Sequence, residues 1–178
     1  MDDRRVRRLR RPAAVLTILV GVLVLLGSLA YWRFSQAVAN PDAVTLPESL
    51  AGLPLASAAY GPQAVAEVNR LHRKEFPLTS GAMGRYGSDA AEATLWVTGV
   101  PLDAMAAQTV AAMHDKIAEG NSPFMPTGER EAGRRTVYEL DGMGQKHFYF
   151  QSGALVIWLA ADADIAEQAL AQALVVYP

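Results

Sequence analysis

The chain has 178 residues, no cysteine and a formal net charge of −2. Without cysteine there are no disulfides, thiolate zinc sites, iron–sulfur clusters, catalytic thiol or lipid-modified N-terminal cysteine, so stability has to come from packing. The small net charge hides a segregation: six arginines among residues 1–11 stand against Asp2 and Asp3, Arg33 follows an apolar run, and the nine basic and sixteen acidic residues after it leave that part at −7. An acidic domain of this kind repels nucleic acid, whose phosphates need basic partners, and that class of function is excluded.

From Ala13 to Trp32 the chain runs for twenty residues without a charge. As a helix with a rise of about 1.5 Å per residue, this stretch spans about 30 Å, the thickness of a bilayer's hydrocarbon core. Tyr31 and Trp32 stand where interfacial aromatics belong, and the arginine excess on the N-terminal side predicts that side to be cytoplasmic. The expectation is a signal-anchor: residues 1–12 a basic cytoplasmic tail, 13–32 a transmembrane helix in the cell (plasma or inner) membrane, and the remainder extracytoplasmic. A cleaved signal peptide is the rival, because Ala37-Val38-Ala39 has the small-x-small pattern. Against it, the run is longer than the usual core of about 7–15 residues and ends in a Tyr-Trp-Arg stop. A buried core helix would show a polar stripe, which is absent here. Gly21 and Ser28 offer small residues for a helix–helix contact, or are simply tolerated in lipid.

Residues 33–60 carry Pro41, Pro47 and Pro54 among Ala, Ser and Gly, and read as an extracytoplasmic tether and entry segment. Leu46, Leu50, Leu53 and Leu55 are too apolar for a free linker, so the second half is expected to lie against the domain, 61–178. Pro62 opens a helix to Glu75, with Ala64, Val65, Val68, Leu71 and His72 on one stripe, and Pro77 ends it. Strands follow at Gly81 to Tyr86 and Thr94 to Val100, with Gly87, Ser88 and Asp89 starting the turn between them. Asp103 is positioned to cap a helix to Glu119 that Gly120 stops. A turn-rich loop from Asn121 to Gly133 leads to strands at Arg135 to Asp141, Lys146 to Gln151 and Ala154 to Ala161, joined by tight connections at Gly142 to Gln145 and Ser152-Gly153. A last helix, Asp164 to Val175, is capped by Asp162 or Asp164. The order α-β-β-α-β-β-β-α predicts an α+β fold, a two-layer sandwich with a mostly antiparallel sheet of about five strands.

Strand side chains alternate, so the faces of this sheet can be read separately. Leu95, Val97, Phe148, Phe150, Leu155, Ile157 and Leu159 form the apolar face, expected to receive both later helices. Thr94, Trp96, Thr98, His147, Tyr149, Gln151, Val156 and Trp158, with Tyr138, form a face that mixes aromatics with polar groups. Trp and Tyr bury large area yet keep a polar handle, so Trp96, Tyr138, His147, Tyr149 and Trp158 are the candidate interaction face. The competing expectation is that the helix from Pro62, or the segment from Leu46 to Leu55, covers that face as a second core.

Catalytic and cofactor motifs are wanting. His72-x-x-Glu75 has i, i+3 spacing for two metal ligands, but Arg73 and Lys74 between them oppose a bound cation. His114 precedes Asp115 and Lys116 on what reads as a helix surface, and His147 reads as a hydrogen-bonded sheet histidine. There is no Gly-x-Ser-x-Gly elbow, and Gly81, Gly84 and Gly87 precede a strand where a phosphate loop would precede a helix. The loop from Gly120 to Phe124 and the turn from Asp141 to Gln145 would frame a small-molecule pocket if the fold brought them together. No catalytic residue, metal site or cofactor is assigned. The expected function is a non-catalytic extracytoplasmic domain, held to the membrane by one helix, that binds a protein or envelope component. The alternatives are a small-ligand or metal-dependent hydrolytic domain built on His147, Tyr149 and nearby carboxylates, and an accessory or regulatory subunit of a membrane complex.

Overall fold

The computed structural model describes residues 3–72, 75–87 and 91–178, with side chains from residue 14 onward. The chain forms two compact units, Met1–Ala39 and Asn40–Pro178. The first is one helix, α1 (Asp3–Ala39), of 37 residues. Its stretch Ala14–Ala39 has a mean hydropathy of 2.5 and is long and apolar enough to cross a membrane. The helix therefore runs past Trp32, where the uncharged stretch ends, and Ala37-Val38-Ala39 forms its last turn.

The second unit is built on one sheet of β1 (Ser49–Leu50), β2 (Leu53–Tyr60), β3 (Ser80–Gly87), β4 (Glu92–Gly99), β5 (Phe124–Ala132), β6 (Arg135–Gly142), β7 (Gln145–Ser152) and β8 (Leu155–Ala161). Its helices are α2 (Pro62–His72), α3 (Asp103–Ala118) and α4 (Ala166–Val176). The strand order is β1-β2-β3-β4-β8-β7-β6-β5, and every pairing is antiparallel. Two meanders thus meet along β4 and β8. The sheet has eight strands where about five were expected, the additions being β1, β2 and β5. Ser88 and Asp89, read as the turn between β3 and β4, lie outside the described residues.

The expected two-layer arrangement is also corrected, because helices lie on both faces of the sheet. On the apolar face α4 packs Ala166, Ala169, Leu170 and Ala173 against Leu95, Val97, Phe148, Phe150, Ile157 and Leu159. On the other face α3 packs Ala106, Val110 and Ile117 against Leu140, Tyr149 and Val156. α2 sits on this second face too, since the α-hydrogen side of Gly81 meets Ala64 and Val65 and Gly81 stands opposite Thr98. A Tyr- and Trp-bearing face holds enough apolar surface to need a helix of its own, which an apolar stripe along α3 cannot reveal by itself.

The segment from Leu46 to Leu55 joins the α4 core, with Leu50 and Leu53 buried and Leu46 and Leu55 packed beside them. Polar clips hold it there. Tyr86 donates to the Pro47 carbonyl at 3.0 Å, and Tyr177 donates to that of Thr45 at 2.8 Å. Gln172 on α4 accepts from the Ala51 N–H at 2.8 Å and donates to the Ser49 carbonyl at 2.9 Å. Ala51 and Gly52 have φ of 51° and 78°, the pair of positive values that a two-residue type I′ hairpin requires.

Two expected caps are replaced. Leu102 and Ile165 occupy the N-cap positions of α3 and α4, without side-chain cap bonds. Asp162 instead clips strands together: its carboxylate accepts from the Glu92 N–H at 2.9 Å and from Gln145 Nε2 at 3.0 Å, and the Gln145 bond is the larger cause holding its pKa below the usual carboxylate range. Gly120, with φ of 77°, does end the helical segment.

The Gln172 clip generates a quantitative expectation. Replacing Gln172 with Ala removes both partners and leaves the buried Ala51 amide unpaired, which costs about 1–3 kcal/mol. Urea denaturation of wild type and Gln172→Ala measures it; equal midpoints would show that the β1–β2 hairpin contributes nothing to the cooperative unit.

Candidate functional site

The β4–β8–β7–β6 registers put Trp96 opposite Trp158, Trp158 opposite Tyr149 and Tyr149 opposite Tyr138, one aromatic ladder across four strands. Tyr149 stacks on Trp158 with ring centroids 5.4 Å apart and planes at 12°, and on Tyr138 at 4.8 Å and 14°. Directly opposed aromatics of this kind add roughly 0.5–1.5 kcal/mol per pair beyond area burial. All five residues of the predicted interaction face thus share one side of the sheet, but in different environments. Tyr149 is 1% exposed and His147 4%, whereas Trp96, Tyr138 and Trp158 are half-buried.

The difference follows from the helices. α3 packs on β7, β8 and β5, and α2 on β3 and β2, leaving β4 between them. Thr94, Trp96 and Thr98 on β4 are accordingly half-buried. The indole nitrogen of Trp96 is itself buried and has no protein acceptor among the described residues.

His147 is locked by its neighbours. Its Nε2 lies 2.9 Å from the Gly142 carbonyl, which can only accept, and the Trp158 indole N–H donates to Nδ1 at 3.2 Å. These partners require the neutral tautomer with its proton on Nε2. Burial is the main cause pushing the His147 pKa below its ordinary 6.5, opposed by the Gly142 hydrogen bond and Asp141. With both nitrogens committed, His147 has no lone pair free to take a proton from a substrate.

Phe124 completes the cluster, with its ring 4.7 Å from His147 and 5.0 Å from Trp158. It stands opposite Gly142, where an added Cβ would lie 2.6 Å from Phe124 Cδ1 and 2.9 Å from the Pro123 carbonyl oxygen. The loop ending at Phe124 and the turn after Asp141 therefore do meet, by direct packing and strand pairing.

At the Tyr138 end the ladder opens into a groove of about 360 Å³, bordered by His114 and Ile117 from α3, Gly128 and Glu129 from β5, and Tyr138 and Leu140 from β6. The β5–β6 register shifts between Pro126 and Gly128, and such a bulge bends a strand and re-aims its side chains. His114 is exposed, yet its ring lies 4.8 Å from that of Tyr138 and its Nδ1 is 3.5 Å from the Tyr149 hydroxyl. Burial, followed by Tyr138, Glu129 and Asp115, pushes the Tyr149 phenol pKa upward, so it stays protonated.

His114, Phe124 and Glu129 were not singled out for this site. For His114 a signal existed: Val110, Met113, His114 and Ile117 follow the i, i+3, i+4, i+7 spacing of one helix face. Of the other candidate pair, His72 bonds the Val68 carbonyl through Nδ1 at 2.9 Å and packs its ring edge-on against Phe76; Arg73 and Lys74 lie outside the described residues. Among the described residues no three His, Asp or Glu side chains are grouped to hold a metal ion.

The neutral His147 gives a pH signature. A depressed folded-state pKa means that, as pH falls below about 6.5, the unfolded chain takes up the proton first; stability is intact above that pH and declines below it until the folded-state pKa is passed. Unfolding midpoints between about pH 7 and about pH 5 should therefore drop more steeply for wild type than for His147→Gln. Parallel profiles would remove His147 from this role.

Comparisons of the chain with protein-family models, with curated proteins and with solved structures give no match.

Proposed function

We propose that this protein is a membrane-anchored binding domain, non-catalytic, whose α1 helix lies in the cell membrane with the arginine-rich end cytoplasmic and whose C-terminal unit engages a protein or envelope component outside. The observation that carries the reading is the groove at the Tyr138 end of the aromatic ladder. It combines an apolar floor, Leu140 and Ile117, with the polar handles of Tyr138, His114 and Glu129 at its border. That is the anatomy of a site that buries one side chain of a partner and orients it by a few hydrogen bonds. Tethering to the membrane raises the effective concentration for a partner in the same envelope. A hydrolytic reading built on His147 and Tyr149 is disfavoured, because the first has both ring nitrogens engaged and the second is buried with its phenol pKa raised.

A photo-crosslinking residue at Glu129, in the full-length chain in its native membrane, should capture a discrete partner that the same residue at Val175, 79% exposed, does not. Tyr138→Ala should weaken capture by about tenfold, the scale of an interface anchor worth more than about 1 kcal/mol. Identical capture from both positions would remove the groove as the binding site. Topology has a separate test: protease added to intact cells should digest the unit beyond residue 40 and spare the arginine-rich end, and the opposite pattern would invert the proposed orientation. Replacing Ala13 to Trp32 by poly-leucine should leave binding intact; loss of function with the domain still displayed would favour the accessory-subunit reading, in which the helix itself makes the contact.

A further inference from the structure

The two edges of the sheet are treated differently. β5 forms one edge, and it carries Pro126, a bulge, and the charges Glu129, Arg130 and Glu131 along its exposed length. These are the devices that keep an edge from pairing with another chain. At the other edge β1 shields only the start of β2, with Ser49 opposite Pro54 and Leu50 opposite Leu53, and Glu48 accepting from Leu55. Beyond it the stretch Ala56-Ser57-Ala58-Ala59-Tyr60 has no charge and no proline.

The hydrogen-bond phase of that stretch follows from its end. The Gly61 N–H donates to the Gly81 carbonyl, and Ala59 and Ser57 stand opposite Met83 and Arg85 in the same register. Since antiparallel pairs alternate, Ala59 and Ser57 bond β3, while Ala58 and Tyr60 turn their N–H and C=O groups outward. Both residues are exposed.

We propose that this stretch of β2, unpaired on its outer side among the described residues, pairs antiparallel with the same stretch of a second copy, about a two-fold axis perpendicular to the sheet, making one continuous sheet from two. Four observations select that occupant. The stretch is self-complementary: antiparallel pairing sets Tyr60 beside the small residues Ala56 and Ala58 and opposes no like charges. The blocked β5 edge prevents head-to-tail addition, so pairing closes at two copies and does not grow into a filament. β2 ends where Gly61, with φ of 59°, turns the chain into α2, which vacates the lane that the second copy's short first strand would occupy. Finally, a two-fold axis perpendicular to a sheet keeps faces matched, so the entry segments of both copies, which pack Val44 and Leu46 on the α4 face, emerge on the same side. That last point suits two chains tethered in one bilayer and rests on the proposed anchoring; the edge argument does not.

Because the chain has no cysteine, a single introduced one can form a disulfide only with another molecule. In membranes holding the full chain, Ala58→Cys should crosslink under mild oxidation or with a short bifunctional thiol reagent at least about tenfold more than Thr127→Cys on the β5 edge, as fixed proximity raises effective concentration. In detergent the full chain should sediment as a dimer. Ala58→Pro should make it monomeric with the domain still folded and its unfolding no longer dependent on protein concentration, because the lost N–H points away from β3. If that variant does not fold, Ala58→Lys tests the same edge with a charge. Crosslinking no stronger than at Thr127, or a dimer that survives the foldable variant, overturns the proposal.

Discussion

The register in which β4 meets β8 decides what the aromatic face becomes. These strands are far apart in the chain, and no hairpin sets their alignment. It is pinned at one end by Asp162, whose N–H donates to Glu92 O while its carboxylate accepts from Glu92 N–H, and at the other by the Val100 N–H to Ala154 carbonyl bond. A slip of one residue would move every side chain of one meander to the opposite face. Leu95 and Val97 would then leave the α4 core, and Trp96 would lose its place opposite Trp158.

Given that register, the ladder sets the demands the rest of the face must meet. Its stacked rings bury Tyr149 and His147, and burying a histidine is tolerable only when both ring nitrogens find partners. Trp158 supplies one and Gly142 the other. Gly142 can approach Phe124 so closely because it has no Cβ, and the turn beyond it has positive φ at both Met143 and Gly144. Met143 is an unusual residue for such a type I′ position, which favours Asn, Asp or Gly, and its side chain is exposed. At the outer end of the ladder β5 sets Glu129, not another aromatic ring, opposite Tyr138, and the groove lies there beside the bulge in β5.

Much of the fold was legible where burial imposed a period. β3, β4, β6, β7 and β8 and the helices α2, α3 and α4 fall close to the segments read from apolar alternation and helical stripes. The apolar set from Leu95 to Leu159 is the core it was expected to be. β5 was invisible because it is exposed along nearly its whole length, so its two faces carry no contrast, and Pro126 and Gly128 read as loop. β1 and β2 were hidden by Pro47 and Pro54 and by short Ala and Ser side chains. Their membership in the sheet depends on partners distant in sequence: Arg85 and Met83 for the strand, Gln172 for the hairpin.

By itself the sequence determined an apolar helix of membrane-crossing length flanked by unequal basic charge, an acidic α+β unit, and the division of strand residues into an aliphatic face and an aromatic one. These are local properties, fixed by composition and by the two-residue period of a strand. Only the tertiary structure decided that α3 and α4 take opposite faces, that His147 is spent on Gly142 and Trp158, that His114 joins Tyr138, and that the groove lies beside a bulge in β5. Each of these depends on which distant strands pair and in what register, a choice made by the summed packing and hydrogen bonding of the whole sheet that no window of neighbouring residues encodes.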